Sequence, residues 1–182
     1  MNKNLAKITV MGMLCALSIV LVTIIHFPLF PAAPFLEYDP ADIPIFIGTF
    51  SFGPIAGLVL TVVTSLVQGF TVSASSGLYG ILMHTISTGS FCIVAGLIYK
   101  RFHSKKGALI SLAAGILTMT LVMIPANLFI TSYFMGVSVS VIKGMLIPVI
   151  IPFNFIKATI NSVITFFLYK RISKLWEKKL EK

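Results

Sequence analysis

This chain has little charge and very little acid: five Asp and Glu against fourteen Lys and Arg in 182 residues, with charged residues only 10% of the total. A soluble domain is roughly a quarter charged, so a surface that meets water on every side is excluded. Cysteine is almost missing. Cys15 and Cys92 both sit in apolar stretches, where a thiol behaves as a small hydrophobe, and the pair builds neither a disulfide framework nor a metal site. There is no Gly-x-x-x-x-Gly-Lys-Ser/Thr phosphate loop and no Gly-x-Ser-x-Gly elbow, and His26, His84 and His103 are dispersed. ATP hydrolysis by the phosphate-loop route is therefore excluded, and zinc or serine-hydrolase chemistry has no motif to support it. No internal repeat is visible, so an inverted-repeat transporter gains no support.

What is present is hydrophobic: 57% of the residues, in long runs. Twelve of the fourteen cations fall in three groups, Lys3 with Lys7, Lys100 to Lys106, and Lys170 to Lys182. The acids are as segregated, with Glu37, Asp39 and Asp42 close together and Glu177 and Glu181 in the tail. A bilayer imposes this pattern, because a charge at its centre costs about 2.5–3.5 kcal/mol on insertion scales. The basic groups flank apolar spans, so they read as topology signals and contacts for anionic lipid rather than as a nucleic-acid surface. The apolar run from Ile8 to Ile25 exceeds a signal-peptide core, and is expected to be kept as a membrane helix.

Six helices are expected, over about 5–26, 42–52, 55–70, 77–101, 106–133 and 152–175, in one membrane domain spanning 1–182. Four prolines between Phe27 and Ala41 (Pro28, Pro31, Pro34 and Pro40) make the first connection a loop. Asp42 is expected as the N-cap of a short second helix, which Gly53-Pro54 ends. The stretch from Phe134 to Ile151, interrupted by Gly136, Gly144 and Pro148, is expected to be a loop, as a lid or a re-entrant piece. With six spans and a cytoplasmic N-terminus, all twelve clustered cations lie inside, as does the C-terminus, and the three-acid loop lies outside. Merging helices two and three would put Lys100–Lys106 outside. The fold class is thus an all-α integral membrane bundle.

Lys143 and Lys157 stand apart from the clusters. Asn154, Lys157 and Asn161 are spaced i, i+3, i+7 on one face of the last helix, and in lipid such a stripe turns toward protein or a cavity. Asn127, after Pro125, is another amide at the outer membrane level. Two readings stand. The amides glue helices while Lys157 snorkels outward, or the groups line an outer binding pocket. His84 reads first as an interhelix hydrogen bond. Glu37, Asp39 and Asp42 read as capping and solvated-turn residues. Gly12-x-x-x-Ala16 on the first helix permits close helix approach.

The stretch Phe35-Leu36-Glu37-Tyr38-Asp39-Pro40-Ala41-Asp42-Ile43-Pro44, with Gly48 and Phe52-Gly53-Pro54-Ile55-Ala56-Gly57, resembles the first loop and second helix of S components of energy-coupling factor (ECF) vitamin transporters. Pro152-Phe153-Asn154-Phe155-Ile156-Lys157 with Asn161, and Asn127, are similar to motifs of the riboflavin-specific branch. The resemblance implies a substrate-binding subunit in the bacterial plasma membrane, with no cofactor. It would capture riboflavin near the outer face under the first loop and pass it inward with a membrane T component and two ABC ATPases. It implies Gly12 and Ala16 as the contact with the T component, where the family's pattern is Ala-x-x-x-Ala.

Riboflavin suits these residue types. The amides of Asn127, Asn154 and Asn161 match the ring edges, Lys157 donates to a ring carbonyl or hydroxyl, and Leu36 and Tyr38 cover the ring. Asp39 caps the loop or accepts a ribityl hydroxyl. The alternatives are another vitamin or precursor such as pantothenate or a pyrimidine, a small membrane enzyme, or a purely structural membrane subunit.

Overall fold

The computed structural model describes residues 3–31 and 33–180, so Glu181 and Lys182 of the tail cluster lie outside the described residues. Six helices carry the fold. Helix α1 (Lys3–Ile24) leads to a loop whose two short strands, β1 (Phe27–Pro28) and β2 (Glu37–Tyr38), pair antiparallel. Helix α2 (Asp42–Phe52), α3 (Pro54–Phe70) and α4 (Gly77–Arg101) follow. Helix α5 runs Lys105–Ala126, widens through a π turn at Asn127–Thr131 and ends in Ser132–Met135. Helix α6 opens with Val139–Met145, passes a second π turn at Leu146–Ile150 and continues as Ile151–Leu180. Four of these helices, α1, α4, α5 and α6, are long and apolar enough to cross a membrane.

Local chemistry explains the boundaries. Gly53 sits at φ +92° between α2 and α3, a backbone state that glycine adopts without penalty, and Pro54 opens α3 where its missing N–H costs nothing. Ser104 caps α5 by accepting the Gly107 N–H at 2.9 Å. Gly136, at φ +64°, closes α5, and the Val137 N–H returns to the Ser132 carbonyl at 3.1 Å.

The expected loop from Phe134 to Ile151 is not there. Only Gly136, Val137 and Ser138 separate the two helices. Its prolines are taken up by helix: Pro148 falls inside the π turn and Pro152 just past it. A π turn shifts the hydrogen-bond ladder by one residue, which accommodates a proline without ending the helix. Pro125 is likewise followed directly by the π turn of α5.

Helix α2 occupies the middle of the bundle. Every residue from Asp42 to Phe50 is buried, as expected for a helix apolar on all sides. Phe46 stacks on Phe91 of α4 at 3.8 Å between ring centres, and Gly115 of α5 lies against that same Phe91 ring. At 1.5 Å per residue its eleven residues cover about 16 Å, roughly half of a hydrocarbon core of about 30 Å. The column above Asp42 is therefore filled by something other than α2. The β1–β2 loop descends into it, and its apolar residues Ala33 and Leu36 pack against Ile142, Ile150 and Phe153 of α6.

Candidate functional site

Beside that loop lies a cavity of about 120 Å³. Its wall takes Leu36 and Asp39 from the loop, His84 from α4, Met123 from α5, and Asn154 and Lys157 from α6. Lys157 does not snorkel. It is buried, and its Nζ donates to Asp39 Oδ2 at 2.7 Å. The other carboxylate oxygen of Asp39 accepts the Ala41 N–H at 3.0 Å. Asn154, one turn before Lys157, donates its Nδ2 to the Ile150 carbonyl at 2.8 Å. Lys143, by contrast, is exposed.

One turn below Lys157, Asn161 ties the loop to the bundle. Its Nδ2 reaches the Asp39 carbonyl at 3.1 Å and Asp42 Oδ2 at 3.2 Å, and its Oδ1 accepts the Tyr38 hydroxyl at 3.1 Å. Burial and the neighbouring Asp39 raise the Tyr38 phenol above its ordinary value of 10.0, so it stays neutral and able to donate. Tyr38 and Asn161 thus fix the loop and do not line the cavity. Asn127 does not line it either: it is fully buried in the α5 π turn, donating to the Met123 carbonyl at 2.8 Å and accepting from Thr131 at 2.9 Å. Of the seven expected binding residues, the cavity wall brings together Leu36, Asp39, Asn154 and Lys157.

The acids depart from expectation. Glu37 is exposed, but Asp39 and Asp42 are buried, at 4% and 0% exposure. Asp42 does not cap α2 with its side chain. The N-cap is Ala41, and the Asp42 carboxylate instead collects three donors: Thr88 at 2.8 Å, His84 Nε2 at 3.0 Å and Asn161. A buried carboxylate is tolerable only when its lone pairs are filled in this way. His84 does make the interhelix contact expected of it, bridging Asp42 on α2 and Ser65 on α3, with Nδ1 at 2.8 Å from the Ser65 hydroxyl.

The sequence reading missed the α3 side of the cavity, where Ser65 and Gln68 lie. The signal was available: Thr61, Ser65 and Gln68 are spaced i, i+4, i+7 in an apolar helix, the same one-face pattern that singled out Asn154, Lys157 and Asn161. Gly12 and Ala16 are on the exposed face of α1, and a Cβ on Gly12 would meet no atom within 4 Å.

Comparison with known proteins agrees with this architecture. The chain is 30% identical over 180 residues to the riboflavin transporter RibU of Staphylococcus aureus (strain TCH60), covering 95% of this chain and 93% of that protein. It is 28% identical to the riboflavin transporter FmnP of Bacillus subtilis (strain 168), covering 91% of each. A solved structure described as the S component of a bacterial ECF transporter superposes with a TM-score of 0.80 at 31% identity, covering 93% of this chain and 96% of that one. The family model for the ECF transporter substrate-specific component matches residues 6–169. A multi-pass bundle with a polar-walled cavity under its first loop is what such a component needs, and this chain belongs to the family of ECF transporter substrate-specific components.

Proposed function

We propose that this chain captures riboflavin from the outer side of the bacterial plasma membrane and delivers it to an ECF energising module. The observation that carries the reading is the placement of Asn154 and Lys157 on the wall of the cavity beneath the first loop. An ammonium and an amide present donors to the carbonyl edge of a flat heteroaromatic ring, while Leu36 and Met123 offer it apolar surface. Asn127, Asn161 and Tyr38 support the site from behind, by setting the π turn and the loop. The names of the two relatives favour riboflavin over pantothenate or a pyrimidine.

Transport against a gradient needs energy that this chain has no phosphate loop to harvest. A T component and two ABC ATPases are the partners proposed to supply it, with the exposed Gly12 and Ala16 face of α1 as the docking surface for the T component.

The test is direct. Protein purified from cells supplied with riboflavin is expected to be yellow, and apoprotein is expected to quench riboflavin fluorescence at one molar equivalent. Colourless protein that leaves riboflavin fluorescence unchanged, while another water-soluble vitamin raises its melting temperature, overturns the assignment.

A further inference from the structure

The α3 side of the cavity holds the sequence's single glutamine, Gln68. A primary amide has two donor positions and two acceptor positions, and this one is poorly supplied. Its Nε2 makes a long contact of 3.4 Å to the Ser73 hydroxyl. Its Oε1 is shut off from solvent and has no hydrogen-bond partner among the described residues. Whichever way the amide is turned, one of its ends is left unmatched, and an unmatched buried polar group is destabilising.

The neighbours share this character. Ser73 and Ser76 lie on the same wall, in the short connection between α3 and α4, with Gly69 and Gly80 beside them. This wall is polar and uncharged. The α6 wall, by contrast, carries Lys157 with its counter-ion Asp39. The two walls offer different chemistry to the two parts of one ligand.

We propose that Gln68, steadied by Ser73, forms a second polar subsite that receives the hydroxyl-bearing chain of the ligand, while Lys157 and Asn154 hold the ring. A hydroxyl both donates and accepts, so it can fill the Gln68 carbonyl oxygen and accept from Ser73 in turn. A charged tail would gain no counter-ion on this wall. The inference rests on the flavin reading and adds to it the residue that discriminates a polyhydroxyl tail from a short apolar one. Hydrogen-bonding sites reject analogues that lack the matching group, because the protein group is then left unpaired.

The experiment uses the full-length protein in detergent and two ligands: riboflavin, and the same ring with a methyl group replacing the ribityl chain. Gln68→Leu is expected to weaken riboflavin binding about tenfold and to leave the methyl analogue unchanged, so retained analogue binding also reports a folded site. Equal weakening of both ligands, or unaltered riboflavin affinity, overturns the subsite. Should Gln68→Leu fail to fold, Ser73→Ala decides on the same pair, with a selective loss of riboflavin affinity expected and a uniform or absent effect refuting. A wild-type chain that binds neither flavin overturns the flavin reading itself, and the subsite with it.

Discussion

Lys157 and Asp39 form a buried ion pair, 8% and 4% exposed, with 2.7 Å between Nζ and Oδ2. At an effective dielectric of about 20 the attraction across that distance is about 6 kcal/mol. Much of it is offset by taking both charges out of water. The net value of the pair is therefore small, yet removing one member is costly, because the other stays buried without its partner. Lys157→Met leaves the Asp39 carboxylate with only the Ala41 N–H as a donor among the described residues, and is expected to cost about 3–5 kcal/mol. For a chain of this size that corresponds to a drop of about 6–20 °C in melting temperature. Asp39→Asn keeps the Ala41 contact but strands the ammonium, and is expected to fall in the same range. The double variant, Asp39→Asn with Lys157→Met, buries neither charge of the pair and is expected to recover most of the loss. The assay is thermal unfolding of the solubilised protein without ligand. A double variant whose drop equals the sum of the two singles refutes the pairing, and unaltered stability in Lys157→Met refutes the burial. Lys157→Ala is thus not the fold-neutral probe that an outward-snorkelling lysine would make it. The contact of Lys157 with ligand is read by comparing riboflavin affinity in the wild type and the double variant.

Asn154→Ala is expected to weaken riboflavin binding about tenfold while leaving the melting temperature within about 3 °C, since its mapped bond is to a carbonyl of its own helix; isothermal titration checks both affinity and stoichiometry. Asn161→Leu cuts the links from α6 to Tyr38, Asp39 and Asp42, so riboflavin is expected to leave at least about tenfold faster in stopped-flow fluorescence, the loop no longer being held closed. Gly96→Ala places a methyl 2.8 Å from the Pro54 Cα and 2.9 Å from the Thr49 side chain, and is expected to destabilise by about 1–3 kcal/mol in thermal unfolding. Gly12→Leu, with open space around it, is expected to preserve folding and riboflavin affinity yet abolish uptake in cells; normal uptake would remove this face as the docking surface.

How much could be read in advance differs between elements. The long helices were legible because hydropathy acts residue by residue, and the short α2 because Asp42 and Gly53-Pro54 mark its ends. The connection between α5 and α6 was not. Pro148 and Pro152 read as breakers, whereas a π turn absorbs Pro148 within the helix, and that turn packs against the first loop, a contact no local pattern encodes. Lys157 stood out by its spacing with Asn154 and Asn161. Gln68 carried the same kind of signal in α3, with Thr61 and Ser65 on its face, but no charge there sets that stripe apart.

The sequence by itself determined that this chain lives in a bilayer, in six apolar helices with twelve of its fourteen cations in three groups at their edges. The bilayer judges each segment alone, by its own transfer energy. The tertiary structure alone decided the fate of the acids and of Lys157. Asp39 and Lys157 are 118 positions apart, and Asp42 and Asn161 119. Whether a carboxylate is solvated or buried depends on which donors the fold brings to it, and those donors come from α4, α6 and the loop's own backbone.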